Sequence, residues 1–119
     1  MRNNKLGRLY RDGEVVINKG DEGTCLFVIQ EGKVEVFDQK GEDEFKIAEL
    51  GASEFFGEMG LFEKDVRSCT VRAAGSAKIL TIDKKNFYKT IQKDPTLAYR
   101  LLQKMSFRLR ELNKKVSQN

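Results

Sequence analysis

The chain has 119 residues, 39% hydrophobic and 34% charged, with a formal net charge of +4 and no histidine. That length suits one domain, and the short apolar runs fall well below the roughly 20 residues of a membrane-spanning helix. Without histidine the commonest general base is missing, and the two cysteines, Cys25 and Cys69, make no zinc ligand set.

No positively charged leader followed by an apolar stretch opens the chain, so a cytoplasmic protein with free thiols is expected. An Asp12-Gly13 turn precedes a short strand at Val15, Val16 and Ile17. A second turn, Lys19-Gly20-Asp21-Glu22-Gly23, leads into CLFVIQ, residues 25–30. This run is too short for a helix and reads as a buried strand. Glu31-Gly32 is expected to make a hairpin into the alternating strand Lys33 to Asp38, with Val34, Val36 and Asp38 on one side. A polar hairpin loop, Gln39 to Glu44, leads to another alternating strand carrying Phe45 and Ile47. Two more strands, Val71 to Ala73 and Ile79 to Ile82, are expected on either side of Ala74-Gly75-Ser76. Many short strands joined by glycine turns favour a small barrel or jelly-roll sheet over a parallel α/β fold.

The texture changes after Asp83, a suitable N-cap for a helix from Lys84 to Gln92 with Phe87 and Ile91 packed inward. Asp94-Pro95 starts a longer helix. There Ala98, Leu102, Met105, Leu109, Leu112 and Val116 recur at alternating spacings of four and three, a heptad seam. Leu97, Leu101 and Phe107 lie off that seam. Early turns on the sheet domain and later turns on a second copy would use all of these residues, so a homodimer through this helix is expected. From Pro95 onward six basic residues meet one acidic, whereas residues 1–94 hold sixteen basic and seventeen acidic. The basic tail suits a charged solvent face, an acidic partner or nonspecific phosphate contacts.

The segment EFFGEMGLFEKDVRSCTVRA, residues 54–73, carries the candidate chemistry. Phe55 and Phe56 read as core anchors. Gly57 permits a tight turn or close approach to a ligand. Glu58 to Leu61 can form one helical turn with N–H groups at its start, and Lys64-Asp65 reads as a polar turn. Arg67 offers rigid donors matched to two phosphate oxygens, whereas ionised Glu58 only accepts hydrogen bonds and suits a sugar hydroxyl. The two could equally form a structural salt bridge. No GKS or GKT phosphate loop occurs. No candidate nucleophile has a base in its motif, so a catalytic function is not expected.

Phe56-Gly57-Glu58-Met59-Gly60-Leu61-Phe62, followed by Arg67-Ser68-Cys69-Thr70, resembles the phosphate-binding cassette of the cyclic nucleotide-binding domain family. The likeness is closest to the effector domains of bacterial catabolite-activator-type, Crp/Fnr-like regulators. Gly13-Glu14, Gly20-Asp21, Val28-Ile29, Glu31-Gly32 and Val34 support the match, which runs from about Leu9 to Val116. The resemblance implies one cyclic nucleotide-binding domain over residues 1–119. It would be mostly β, a jelly-roll or double-stranded β-helix roll of about eight strands over residues 9–82, with flanking helices over 84–116. No cofactor or metal is implied. The implied ligand is a 3′,5′-cyclic nucleotide, cyclic AMP before cyclic GMP, because Ser68 follows Arg67. Glu58 would take the ribose 2′-hydroxyl. Arg67 would take the phosphate, aided by Ser68 and by main-chain N–H groups of Gly57, Glu58, Met59 and Gly60, with Leu61 and Cys69 completing the cassette. Asn113 would read the base edge beside Leu112, which replaces the polar residue usual there. The winged helix-turn-helix of those regulators does not follow Asn119. The expectation is therefore a freestanding sensor, or the sensory piece of a transcription regulator, without sequence-specific nucleic-acid binding of its own. It would serve a partner protein or fused effector domain. The alternative is a degenerate, non-binding dimerisation or scaffold module.

Overall fold

In a computed structural model, residues 7–62 and 65–117 are described. Lys64 of the expected Lys64-Asp65 turn, and the side chains of Phe62, Asp65 and Val116, lie outside that description. The chain divides into two compact units, Met1–Lys84 and Lys85–Asn119.

The first unit is a mostly antiparallel β-roll. Its strands are β1 (Arg8–Tyr10), β2 (Val15–Ile17), β3 (Glu22–Gly23), β4 (Leu26–Lys40), β5 (Asp43–Gly51), β6 (Phe55–Phe56), β7 (Asp65–Val66) and β8 (Thr70–Ile82). One helical turn, α1 (Met59–Phe62), stands between β6 and β7. The main sheet runs β1-β8-β4-β5, with β2 on β8 and β6 on β4, while β3 and β7 form a separate pair. The expected β-roll is thus observed, with eight strands among the described residues.

Two expected boundaries are corrected. Glu31-Gly32 is not a hairpin, because β4 passes through it as one 15-residue strand. Ala74-Gly75-Ser76 likewise lies inside the 13-residue β8. The two long strands pair from Leu26↔Ile82 to Phe37↔Thr70, with register shifts on either side of Glu31. These facing irregularities are bulges, which bend the paired strands without ending them. They also set the core. In a regular strand Ile29 and Val34, an odd number of residues apart, would face opposite sides. With the bulge between them, both are fully buried in the same cluster as Tyr10, Ile17, Phe56, Val71, Ala73, Ala77 and Ile79.

The second unit comprises α2 (Lys84–Lys93, which begins on the boundary residue) and α3 (Thr96–Ser117). The N–H of Thr96 donates to Asp94 Oδ1 at 3.0 Å, the expected cap. Hydrogen bonds from the Thr96 side chain and main chain hold the Asp94 carboxyl below the ordinary aspartate range. Phe87 and Ile91, expected to pack inward, are only half-buried, and α2 buries no residue fully. On α3 the seam residues Leu102, Leu109 and Leu112 are exposed, as is Phe107. No described helix is long and apolar enough to cross a membrane.

Gly32 tests the bulge. Its φ is +82°, and a Cβ there would fall onto the Ser76 carbonyl oxygen across the sheet. Gly41, in the β4–β5 turn, has φ +64° but open space around it. Gly32→Ala should therefore lower stability by about 2 kcal/mol or more, and Gly41→Ala by only about 1 kcal/mol. Urea denaturation of the two variants checks the difference. Equal losses would remove the steric role assigned to the bulge.

Candidate functional site

Two charged side chains are buried among the described residues, Glu58 at 3% and Arg67 at 7% exposure. Both belong to the cassette segment. Arg67 lies between β7 and β8, and its backbone is fixed at both ends by the turn before β3. The Arg67 N–H donates to the Asp21 carbonyl at 2.8 Å, and the Gly20 N–H donates to the Arg67 carbonyl at 2.8 Å. The β3–β7 pairing, Glu22↔Val66 and Gly23↔Asp65, continues that attachment. An arginine so fixed loses little further freedom in presenting its guanidinium.

The guanidinium enters a cradle built from separate parts of the roll. Nη1 donates to the Gly57 carbonyl at 3.1 Å and Nη2 to the Cys25 carbonyl at 2.8 Å. Three glycines make the space. A Cβ at Gly23 would overlap the guanidinium, one at Gly60 would lie 3.0 Å from Nη1, and one at Gly57 would lie 3.1 Å from it. Gly57 also has φ +78°, so its conformation and its clearance both favour glycine. The Phe27 ring closes another side, 5.8 Å from the guanidinium carbon to the ring centroid.

These acceptors are neutral. A main-chain carbonyl hydrogen-bonds a guanidinium but does not cancel its charge, and a buried cation is costly unless an anion meets it. Two of the five N–H donors of Arg67 are used on these carbonyls among the described residues. Chemically, a guanidinium held in this way is a group that an anion could meet through charge-assisted hydrogen bonds.

Glu58 precedes α1. It interacts with its surroundings, and its Oε1 is enclosed without a hydrogen bond among the described residues. α1 is a single turn in which the Gly60 N–H donates to the Gly57 carbonyl at 3.2 Å and the Leu61 N–H to the Glu58 carbonyl at 3.1 Å. Those two amides therefore already serve the turn. Leu61 is buried and Met59 exposed. Ser68 is exposed, with its hydroxyl 3.8 Å from the half-buried Cys69 thiol. Both cysteines are free. Asn113 is exposed on α3, in the second unit. The structure thus brings Gly57, Gly60 and Arg67 together, with Glu58 buried next in sequence to Gly57. It adds Gly23, the Cys25 carbonyl and Phe27, which the sequence had shown only as turn and strand residues. Among the described residues, no group of three or more His, Cys, Asp and Glu side chains could hold a metal ion.

The cyclic nucleotide-binding domain family matches residues 7–94. The chain is 33% identical over 105 residues to the cyclic AMP receptor protein of Thermus thermophilus, covering 87% of this chain and 49% of that protein. It is 36% identical over 115 residues to the cAMP-activated global transcriptional regulator Vfr of Pseudomonas aeruginosa, covering 92% and 53%. The crystal structure of the Thermus thermophilus catabolite activator protein superposes with a TM-score of 0.80 at 31% identity, over 94% of this chain and 53% of that one. The chain spans about half the length of the curated relatives it matches.

Gly23→Ala tests the cradle directly. The clashing atoms belong to the movable end of Arg67, so the fold should survive with the guanidinium displaced. The Nε–Hε cross-peak of Arg67 in a ¹⁵N-edited NMR spectrum should shift while the β-strand amides stay in place. An unmoved cross-peak would contradict the packing of Arg67 on Gly23.

Proposed function

The chain belongs to the cyclic nucleotide-binding domain family, and from that premise we propose that it binds a 3′,5′-cyclic nucleotide, cyclic AMP before cyclic GMP, as a sensory or regulatory module. The observation that carries this reading is the buried Arg67 guanidinium, fixed in a glycine cradle and bonded only to neutral carbonyls among the described residues. A cyclic phosphate monoanion supplies the charge that those carbonyls lack, and its two exocyclic oxygens suit adjacent N–H donors. In this reading Glu58 accepts a hydrogen bond from the ribose 2′-hydroxyl. Main-chain N–H groups of Gly57, Glu58 and Met59 assist at the phosphate, with Ser68 and Cys69 beside it. Base reading by Asn113 rests on the family resemblance alone, and so does the preference for cyclic AMP, which follows Ser68. The relatives named as cyclic AMP receptors and cAMP-activated regulators support the ligand class. The role is binding rather than catalysis. A downstream partner or fused effector would receive the signal.

Titration calorimetry with cyclic AMP and cyclic GMP, and 5′-AMP as control, tests the reading. Saturable binding of a cyclic form near one per chain is expected. Arg67→Ala should weaken it by about 1.5–3 kcal/mol, the usual worth of a hydrogen bond to a charged group. Glu58→Ala and the removal of the ligand's 2′-hydroxyl should each weaken binding, and the two losses should not add, because they delete the same contact. Absence of heat or competition at millimolar ligand would favour the scaffold alternative.

The exposed stripe of Leu102, Leu109 and Leu112 on α3 supports a second element of the proposal, pairing of two copies through this helix. Sedimentation should give a dimer at micromolar concentration and a monomer for Leu109→Glu. A wild-type monomer at that concentration would remove this element and leave the binding site untouched.

A further inference from the structure

Within the binding site proposed above, on which this inference rests, we propose that Phe27 is the positioning residue for Arg67. Its ring faces the guanidinium and holds it ready for the phosphate.

Phe27 lies near the start of β4, where it pairs with Phe56 of β6. The two rings are stacked, 5.1 Å between centroids and 12° between planes. Phe56 is a core residue at 6% exposure, so one face of Phe27 rests on the core. The Arg67 guanidinium carbon lies 5.8 Å from the Phe27 centroid, inside the range in which a cation is drawn to the negative face of an aromatic ring. The same ring meets the cassette, since a Cβ on Gly57 would touch Phe27 at 3.2 Å. Phe27 is thus in contact with the core, with the turn that enters α1 and with the guanidinium.

The consequence lies in where the two kinds of contact sit on the cation. A guanidinium forms hydrogen bonds around its edge, in plane, and interacts with an aromatic ring through its face. The Cys25 and Gly57 carbonyls occupy the edge and would compete with a phosphate for donors. The ring is not an oxygen acceptor of the kind a phosphate would replace. It can keep the cation in place while edge hydrogen bonds are exchanged for phosphate oxygens. An aliphatic side chain of similar bulk would fill the volume but would not attract the charge.

The test measures cyclic AMP affinity by calorimetry for the whole chain with replacements at two stacked positions. Incorporating 3,4,5-trifluorophenylalanine at position 27 keeps the ring and weakens its negative face. Affinity should fall about two- to thirtyfold, the range given by measured cation–π energies. Phe27→Leu should fall at least as far and Phe27→Tyr should restore binding. Phe56→Leu breaks the stack but leaves the Phe27 face to Arg67, so it should lower the unfolding temperature with a much smaller loss of affinity. If the fluorinated ring binds as well as the natural one, or if Phe56→Leu weakens binding as much as Phe27→Leu, the positioning role is overturned and the binding site stands. A wild-type chain that binds no cyclic nucleotide overturns the functional reading and this role with it.

Discussion

The candidate site depends on one electrostatic constraint: a guanidinium is buried where, among the described residues, the groups that accept its hydrogen bonds are neutral. Arg67 is 7% exposed, and its hydrogen bonds among the described residues end on the carbonyls of Cys25 and Gly57. Burying a positive charge is costly unless an anion meets it. Much of the cassette follows from that constraint. Gly23, Gly57 and Gly60 leave room for the planar group, Phe27 covers it, and the turn at Gly20 and Asp21 fixes the backbone that carries it.

These parts lie far apart in the chain, and the β-roll assembles them. The β4–β8 pairing brings Phe27 opposite Thr81, while β4–β6 pairing sets Phe56 beside the same residue. The β3–β7 pair ties residues 22–23 to residues 65–66, just before Arg67. The bulges at Glu31 and Gly32 matter here even though they are distant from the guanidinium. They let β4 contribute Ile29 and Val34 to one core while its first residues serve the site.

How much of this was legible in the sequence follows from how local each signal is. Gly57, Glu58 and the single turn of α1 could be read directly, since a helix start and a flexible glycine are properties of a few adjacent residues. The alternating strands, the Asp94 cap and the exposed α3 seam were legible for the same reason. Glu31-Gly32 reads as a hairpin from sequence because a glycine that permits positive φ suits a turn and a bulge alike. Which of them forms is decided by the partner strand, here Ala74 to Lys78 of β8, and that information is not local. Gly23 and Phe27 looked like an ordinary turn glycine and a buried strand residue. Their place in the cradle exists only once Arg67, far later in the chain, folds against them.

The same constraint would let the site respond to the ligand proposed for it. The Cys25 carbonyl leads into β4 and the Gly57 carbonyl leads into α1, so one side chain bridges two segments. In the proposed complex a phosphate would compete with both carbonyls for the guanidinium edge, since a charge-assisted bond outweighs a bond to a neutral acceptor. Exchange of acceptors would alter how strongly those segments are held together. Such a change transmits a signal only if the two arrangements differ in ligand affinity, because a ligand shifts an equilibrium by no more than that difference. With Phe27 in the proposed positioning role, the ring contact would outlast that exchange, because the ring is not an oxygen acceptor that a phosphate replaces. The free energy of phosphate binding would then act on the main-chain bonds of the cassette rather than on holding the arginine itself in place.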